Sequence, residues 1–345
     1  MTPWAYPMTA PTEKFLILRF SSFGDVTQCL SVPSKIAEKF PKATIHWAVR
    51  ADLSSLLENH PHIHRIWAFP RKAGLRELWQ MGVQLQAEGF THVYDAHNST
   101  RSLFLSLFLK LRNPGIQLLR KSQKRWKRIL LFKFRINRYR QPFSGQRDLL
   151  EPLKKWGLSE DLPSAPQLFL QPHELQRVRD RLPASPFVAL APSAAYELKR
   201  WPRESWKALV QKMPKMNFVL LGGPEDVFLE EIRTAAPDRV INLAGRTNLR
   251  ETSAVVAQSL ALVTNDTGIL HTAEQQGHPA VALMGPAPFG FPSRSSTSIL
   301  ERNLPCRPCS KHGQGPCVNP NFHQCLRSIT PEDVMAALRS RGISL

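Results

Sequence analysis

A phosphate-binding motif follows one of the apolar runs of strand length. The run that ends at Thr264 is followed by Asn265-Asp266-Thr267-Gly268, with His271 one helical turn further on. Asp266 is a good helix N-cap, and Gly268 lets a ligand approach the amides of the first turn. Free amides at a helix start form a natural phosphate site. A helix that is merely well capped explains the same residues, so both interpretations stay open.

Two other apolar runs end in polar loops. The run that ends at Ala191 leads through Ser193 to Lys199-Arg200, which places a hydroxyl and two cations on one loop. Lys199 is suited to neutralise a leaving diphosphate as a compact charge. After the next run, Glu225 could accept hydrogen bonds from ribose hydroxyls. The alternatives are a solvated basic loop and a charge that stabilises a helix start.

The first turn of the chain carries a candidate general base. Ser21-Ser22-Phe23-Gly24-Asp25 follows the first apolar run and lacks the three glycines of a dinucleotide fingerprint, which disfavours a hydride-transfer enzyme. Asp25 could take a proton from an attacking hydroxyl. Its alternative role is to cap the following helix.

Alternating strands and helices must position these loops. Apolar runs of strand length alternate with amphipathic segments, which is typical of βα units in parallel sheets. In the first series we expect strands at 15–20, 45–49, 63–69 and 92–95, and helices at 25–39, 52–58 and 74–88. In the second series we expect strands at 187–191, 218–222, 240–243, 260–264 and 280–284, and helices at 203–212, 224–235, 249–258, 267–276 and 331–341.

The two series indicate two domains. A chain of 345 residues with 42% apolar content exceeds one core of ordinary size. Residues 1–13 read as a disordered leader, residues 14–172 as an N-terminal Rossmann-like domain that ends in a proline-containing linker, and residues 173–345 as a C-terminal Rossmann-like domain with a terminal helix. In such sheets ligands bind beyond the carboxyl ends of the strands.

These motifs together resemble glycosyltransferase family 9, the ADP-heptose:lipopolysaccharide heptosyltransferases. The motifs that carry the resemblance, in chain order, are Ser21-Ser22-Phe23-Gly24-Asp25, Lys199-Arg200-Trp201-Pro202, Leu243-Ala244-Gly245-Arg246-Thr247, Asn265 to His271 and Gly285-Pro286. The resemblance implies the GT-B architecture, in which two Rossmann-like domains face each other across a cleft. It also implies an inverting, metal-independent transfer of heptose from ADP-heptose to the lipopolysaccharide inner core, either Kdo-lipid A or heptosylated core.

The resemblance also implies roles for individual residues. Asp25 matches the general base, and Lys199 matches the residue that contacts the diphosphate. Thr267 and Gly268 match the phosphate-cradling amides, and Asp266 matches the carboxylate on the sugar hydroxyls. The list of donor-binding residues is completed by Ser193, Glu225 and His271, the last with a less defined role. Glu274 and Gln275 depart from the family pattern, which has small residues there.

The acceptor is expected to meet basic residues of the N-terminal half. The residues that we assign to it are Ser22, Arg101, Arg120 and Lys121. Arginine and lysine suit the phosphates and carboxylates of such an acceptor. A protein or another glycan as acceptor stays open.

The charge of the chain predicts an anionic partner. The formal charge is +19, and residues 110–140 hold twelve Lys or Arg residues without any Asp or Glu. An anion-binding or membrane-surface patch and a solvated helix face are both compatible with this segment. No apolar run is long enough to span a membrane. We expect a cytoplasmic protein that associates peripherally with the inner membrane.

A basic nucleic-acid-binding protein is the competing function. The chain lacks an aromatic RNA-binding strand or a GxxG clamp, so nucleic acid is a disfavoured partner.

Four cysteines are spaced as Cys306-x2-Cys309-x7-Cys317-x7-Cys325. They could hold a structural zinc ion, although one CxxC pair is less specific than two. Unligated thiols are the alternative, and the transfer reaction itself is expected to require no cofactor.

Overall fold

The computed structural model describes residues 13–345, so the expected leader lies outside the described residues except for Glu13. The strands are β1 (Lys14–Leu18), β2 (Thr44–Arg50), β3 (Arg65–Phe69), β4 (His92–Asp95), β5 (Gln117–Arg120), β6 (Phe187–Ala191), β7 (Asn217–Leu220), β8 (Val240–Asn242), β9 (Leu262–Asn265), β10 (Ala280–Met284) and β11 (Thr297–Glu301). The α-helices are α1 (Phe23–Cys29), α2 (Ser31–Lys39), α3 (Leu75–Ala87), α4 (Thr100–Arg112), α5 (Arg125–Phe134), α6 (Gly145–Leu150), α7 (Pro172–Arg179), α8 (Arg203–Lys212), α9 (Leu229–Arg233), α10 (Leu249–Gln258), α11 (Gly268–Gln276), α12 (Gln324–Arg327) and α13 (Pro331–Ser340).

The strands form two parallel sheets. The first sheet has the order β3-β2-β1-β4-β5, and the second has the order β11-β10-β9-β6-β7-β8. Strands such as Phe187–Ala191 are buried along their whole length, as expected for parallel strands covered on both faces. The strand order reverses between β1 and β4 in the first sheet and between β9 and β6 in the second. Such reversals are where ligands bind in open α/β sheets.

Contacts divide the described chain into two compact units. The first unit comprises residues 13–21, Ser31–Gln123 and Leu149–Pro163, and the second comprises Ser22–Leu30, Lys124–Asp148 and Ser164–Leu345. This division differs from the expected boundary after residue 172, because α1 and α5 are grouped with the second sheet. Helix α1 joins the second unit because it packs against α11.

Local chemistry explains where the predicted helices differ from the observed ones. The single helix expected up to Lys39 is two helices, because the Leu30 amide bonds to the Thr27 carbonyl and closes α1 with a tight turn. The helix expected from Pro224 begins only at Leu229, since a turn closed by Asp226 comes first. The segment expected as a helix at 52–58 is the 3-10 helix Ala51–Leu57.

The longest apolar run of the sequence, residues 102–109, forms part of α4. Across residues 13–345, none of the helices combines the length and the apolar character that crossing a membrane requires.

Candidate active site

Asn265 joins the two loops that meet at the reversal of the second sheet. Its side chain is fully buried at the end of β9. Its Nδ2 donates to the Pro192 carbonyl at 2.6 Å, and its Oδ1 accepts from the Trp201 amide at 3.0 Å. The loop after β6 and the start of α11 are therefore fixed to each other by one amide side chain. The sequence placed Asn265 in a motif without giving it this role.

Lys199 and Asp266 form an ion pair at this edge. Lys199 Nζ lies 2.6 Å from Asp266 Oδ2 and 3.4 Å from the Asp266 carbonyl oxygen. Asp266 is buried. The expectation that Asp266 caps α11 is wrong, because Thr267 is the N-cap and the Asp266 carboxylate is used on Lys199. The structure thus brings together two residues that the sequence separates by most of a domain.

Two glycines allow close packing around the start of α11. A Cβ at Gly268 would overlap the ring of Phe23, which lies on the first turn of α1. A Cβ at Gly290 would overlap the carboxylate of Asp266. The backbone at both positions therefore approaches its neighbours more closely than any residue with a side chain could.

His271 is held by a buried carboxylate. His271 Nδ1 lies 2.8 Å from Glu274 Oε2, and both side chains are buried. The other oxygen, Oε1, accepts from the amides of Ser293 and Arg294, the latter at 2.9 Å. An ionised carboxylate can only accept, so Nδ1 carries the hydrogen and a neutral His271 has its lone pair on Nε2. Glu274 thus orients His271 and anchors the loop before β11.

Asp25 lies at the start of α1, close to α11. Its Oδ2 accepts from the Ser22 amide at 3.3 Å and from Ser22 Oγ at 2.9 Å, which forms a capping box. The N-cap of α1 is therefore Ser22, and Asp25 contributes to the cap from the N3 position rather than as the N-cap itself. A Cβ at Gly24 would lie 3.2 Å from His271 Cδ2, so α1 packs directly against the part of α11 that carries His271.

Lys311 and His312 carry basic groups into the surroundings of Asp25. Burial is the main cause that lowers the pKa of Lys311, followed by Arg128, while Asp25 raises it. Burial likewise lowers the pKa of His312 most, followed by Lys311 and Lys199, and Asp25 opposes the shift. The sequence missed these residues because they lie inside the cysteine motif, where only the thiols suggested chemistry.

The segment that carries Lys311 packs on the Lys199 loop. A Cβ at Gly313 would lie 2.8 Å from Lys199 Cγ. His323 Nε2 lies 2.9 Å from the Leu198 carbonyl oxygen, which fixes the far end of the segment. The cysteine-containing segment is therefore a wall of the candidate site.

Ser193 is hydrogen-bonded to a buried carboxylate, whereas Glu225 is exposed. Ser193 Oγ donates to Asp226 Oδ1 at 2.5 Å, and the Gly223 amide donates to Asp226 Oδ2 at 2.8 Å. Asp226 is buried and was missed, because the exposed Glu225 beside it was the more obvious carboxylate. Glu225 bends back over Gly223, whose Cβ would lie 2.6 Å from its oxygens.

Arg101, Arg120 and Lys121, three of the four predicted acceptor residues, lie in the first unit. Arg120 Nε donates to the buried Asp95 at 3.1 Å, and its Nη2 donates to Ser106 at 2.9 Å. The Lys121 amide bonds to the Asp95 carbonyl at 2.9 Å, so Arg120 and Lys121 lie together at the ends of β4 and β5. Arg101 lies over the Phe69 ring, 5.6 Å from its centroid. Ser22 is grouped with the second unit.

The four C-terminal cysteines are free thiols. The Asn319 side chain and the His323 amide donate to the sulfurs of Cys306 and Cys317, at 3.3 and 3.2 Å. Burial raises the pKa of Cys325 to about 11, and burial is also the main cause that raises the pKa of Cys309. Within residues 13–345, no three His, Cys, Asp or Glu side chains are arranged to hold a metal ion, and zinc binding here stays a prediction.

Comparison with known proteins identifies the family. The family model for glycosyltransferase family 9 (heptosyltransferase) matches residues 78–317. Lipooligosaccharide heptosyltransferase 2 of Haemophilus influenzae is 27% identical over 94% of this chain and 97% of that protein. The predicted family resemblance is therefore confirmed.

Solved structures share the fold. The glycosyl transferase family 9 structure from Veillonella parvula matches with a TM-score of 0.76 and 18% identity, over 95% of this chain and 97% of that one. The structure of E. coli ADP-heptose lps heptosyltransferase II matches with a TM-score of 0.73 and 22% identity, over 95% and 98%. The predicted fold class, a GT-B fold with two Rossmann-like domains, is confirmed.

Proposed function

Since the chain belongs to glycosyltransferase family 9, we propose that this glycosyltransferase moves heptose from ADP-heptose to the inner core of lipopolysaccharide. Two names support this donor and acceptor. One relative is named lipooligosaccharide heptosyltransferase 2, and one structural neighbour is named ADP-heptose lps heptosyltransferase II. The acceptor is either Kdo-lipid A or heptosylated core.

The observation that carries the proposal is the Lys199–Asp266 pair beside the first turn of α11. The pair places one cation and the amides of a helix start at the reversal of the second sheet. A diphosphate needs both a positive charge and hydrogen-bond donors. The site therefore suits the pyrophosphate of a nucleotide sugar.

The same pair suggests how the sugar is held. When Lys199 turns to the diphosphate, the buried Asp266 carboxylate loses part of its neutralisation and becomes an acceptor for sugar hydroxyls. Binding of phosphate and sugar would then be coupled through one ion pair. Ser193, Glu225 and His271 complete the donor-side residues, with His271 oriented by Glu274.

Asp25 is the proposed general base. Its carboxylate would take the proton of the acceptor hydroxyl while that oxygen attacks the anomeric carbon. Attack on the side opposite the departing ADP inverts the anomeric configuration. Lys199 and the helix start supply the charge stabilisation for ADP, so the proposed reaction requires no metal ion.

The proposed location is the cytoplasmic face of the inner membrane. The basic segment 110–140 supports this proposal, because anionic lipid headgroups attract Lys and Arg at a membrane surface. Arg101, Arg120 and Lys121 are the proposed contacts of the anionic acceptor.

A transfer assay tests the function. Purified protein is incubated with ADP-heptose and either Kdo-lipid A or heptosylated core, and ADP release and glycolipid mass are followed. We expect a mass increase of one heptose on one of the two acceptors. Release of ADP only when a protein or another glycan is supplied would assign a different acceptor. Salt-sensitive binding to arbitrary duplexes, with no stabilisation by any ADP-sugar, would instead indicate a nucleic-acid-binding protein.

A further inference from the structure

Helix α4 of the first unit exposes an apolar face. The exposed residues of this face are Leu103, Phe104, Leu107 and Leu111. Their helical spacing places them opposite the buried side chains that pack on the first sheet. Leu111 is 79% exposed and Leu107 is 46% exposed. Contiguous apolar surface of this kind marks a binding surface in soluble proteins.

The neighbouring helix α3 continues this surface. Its exposed apolar residues follow one another at intervals of four and are Leu75, Trp79 and Val83, of which the first two are 82% and 52% exposed. A Cβ at Gly82 would lie 3.2 Å from the Phe108 ring, so the two helices are in contact beside this stripe. The Phe108 ring lies 5.9 Å from that of Phe104, which belongs to the stripe on α4. We call the seven exposed residues the α3–α4 face.

Basic residues border the α3–α4 face. The cations of the two helices are Arg76, Arg101, Lys110 and Arg112. Glu77 is the one acidic residue within α3 and α4, and it accepts a hydrogen bond from the Gly74 amide at 2.8 Å. Glu88, which follows α3, is paired with Lys14 and Arg65. The apolar face therefore has a predominantly positive border.

We propose that the α3–α4 face binds an anionic lipid bilayer. Apolar side chains that enter the interface, with Lys and Arg around them, are the combination that binds anionic membranes. A second copy of this chain fits the face less well, because two positive borders would be brought together. The choice of a lipid partner rests on the proposed function in one respect, namely that the acceptor is lipid-borne.

Vesicle co-sedimentation of the full chain tests the proposal. The vesicles contain either phosphatidylglycerol with phosphatidylethanolamine or phosphatidylcholine alone. We expect binding to the anionic vesicles, with about tenfold or greater weakening when Leu107→Gln and Leu111→Gln are combined, and weakening also for Trp79→Gln. The matched control is Val318→Gln, since Val318 is 58% exposed but lies in the second unit, and it should bind like the unchanged protein.

Three outcomes would overturn the proposal. The first is unchanged vesicle binding by both α3 and α4 variants with unaltered thermal unfolding. The second is equal binding to phosphatidylcholine, which removes the role of the positive border. The third is a chain that self-associates without lipid and becomes monomeric in the Leu107→Gln, Leu111→Gln variant, which assigns the face to a second copy.

Membrane binding by the α3–α4 face and the proposed heptose transfer can be rejected independently of each other. Transfer to an acceptor without acyl chains should be equal in the unchanged protein and in the Leu107→Gln, Leu111→Gln variant, while transfer to acceptor in vesicles should fall. Vesicle binding without any heptose transfer would reject the function and leave the membrane surface intact. Transfer that is equally fast in vesicles for both proteins would reject the membrane surface and leave the function intact.

Discussion

The carboxylate of Glu274 holds Nδ1 of His271 at 2.8 Å inside the second unit. The same carboxylate binds the amides of Ser293 and Arg294, so one side chain connects α11 to the loop before β11. Three donors thus depend on this one carboxylate. Glu274 is therefore a positioning residue for His271.

Glu274→Gln tests this positioning role. The amide keeps one acceptor oxygen but turns a donor toward either the histidine or the two backbone amides. We expect a loss of about 1–3 kcal/mol in the free energy of unfolding, and a lower kcat for heptose transfer. The variant His271→Phe and the double variant complete a mutant cycle measured by denaturant unfolding and by kcat. If the single effects simply add in both measurements, Glu274 does not act through His271.

Asp25→Asn separates general-base catalysis from helix capping. The amide oxygen can still accept from Ser22, but it cannot take a proton from an acceptor hydroxyl. We expect kcat to fall by about 10²–10⁴-fold with little change in ADP binding or thermal unfolding. Glu77→Gln is the matched control, because Glu77 occupies the same capping position at the start of α3. Retained turnover in Asp25→Asn would remove Asp25 as the base.

Lys199→Met tests whether the ion pair is part of the donor site. The variant removes the charge that we propose faces ADP, and it leaves the buried Asp266 without its cation. We expect ADP affinity to fall roughly 10–100-fold by calorimetry, as for the loss of a charge-assisted hydrogen bond. Adding Asp266→Asn should restore thermal stability but not ADP affinity.

The control for Lys199→Met is Lys207→Met, which removes a lysine from an exposed pair with Glu204. It should change the free energy of unfolding by less than about 0.5 kcal/mol. Recovery of ADP affinity in the Lys199→Met, Asp266→Asn protein would make the pair purely structural.

Gly290→Ala tests the packing against Asp266. The added methyl group would overlap the carboxylate, so either the loop or Asp266 must shift. We expect weaker ADP-heptose binding in a thermal-shift titration and a loss of about 1–3 kcal/mol of stability. Gly115→Ala is the comparison, because its nearest neighbour is the end of the Asn113 side chain on an exposed turn. Equal donor binding in both variants would contradict the close approach.

The sequence predicted the local part of this structure. The buried strands β6 and β10 and the helices α8 and α10 depend on neighbouring residues, and they appear at the expected positions. Helix α4 was not predicted as a helix, because apolar residues on its solvent side hide the periodicity of its buried side.

The partners of the site residues could not be predicted in the same way. Glu274 takes on its role only when residues 19 and 20 positions later fold back onto it. Asp25 is grouped with the second sheet only because α1 packs on α11. Such relations depend on tertiary contacts, which the local pattern does not contain.

Two histidines, the buried His46 and the partly buried His278, should make stability depend on pH. Burial is the main cause that lowers the pKa of His46 and of His278, each to about 4. The unfolded chain, with an ordinary histidine pKa of about 6.5, binds these protons first. The contribution of these two neutral histidines to the free energy of unfolding is therefore fully present above the histidine pKa of the unfolded chain. It is lost as the pH falls from that value toward about 4.

Denaturant unfolding between about pH 7 and pH 5 measures this effect, because most carboxylates stay ionised there. Each histidine should contribute a slope of up to about 1.4 kcal/mol per pH unit below its unfolded pKa. His278→Gln should flatten the slope, because glutamine does not titrate. In the second unit, His278 Nε2 lies 3.1 Å from Ser259 Oγ, a contact that does not require a charged ring. His46→Gln should do the same for the first unit. Slopes that both variants leave unchanged would show that these histidines do not stay neutral in the folded protein.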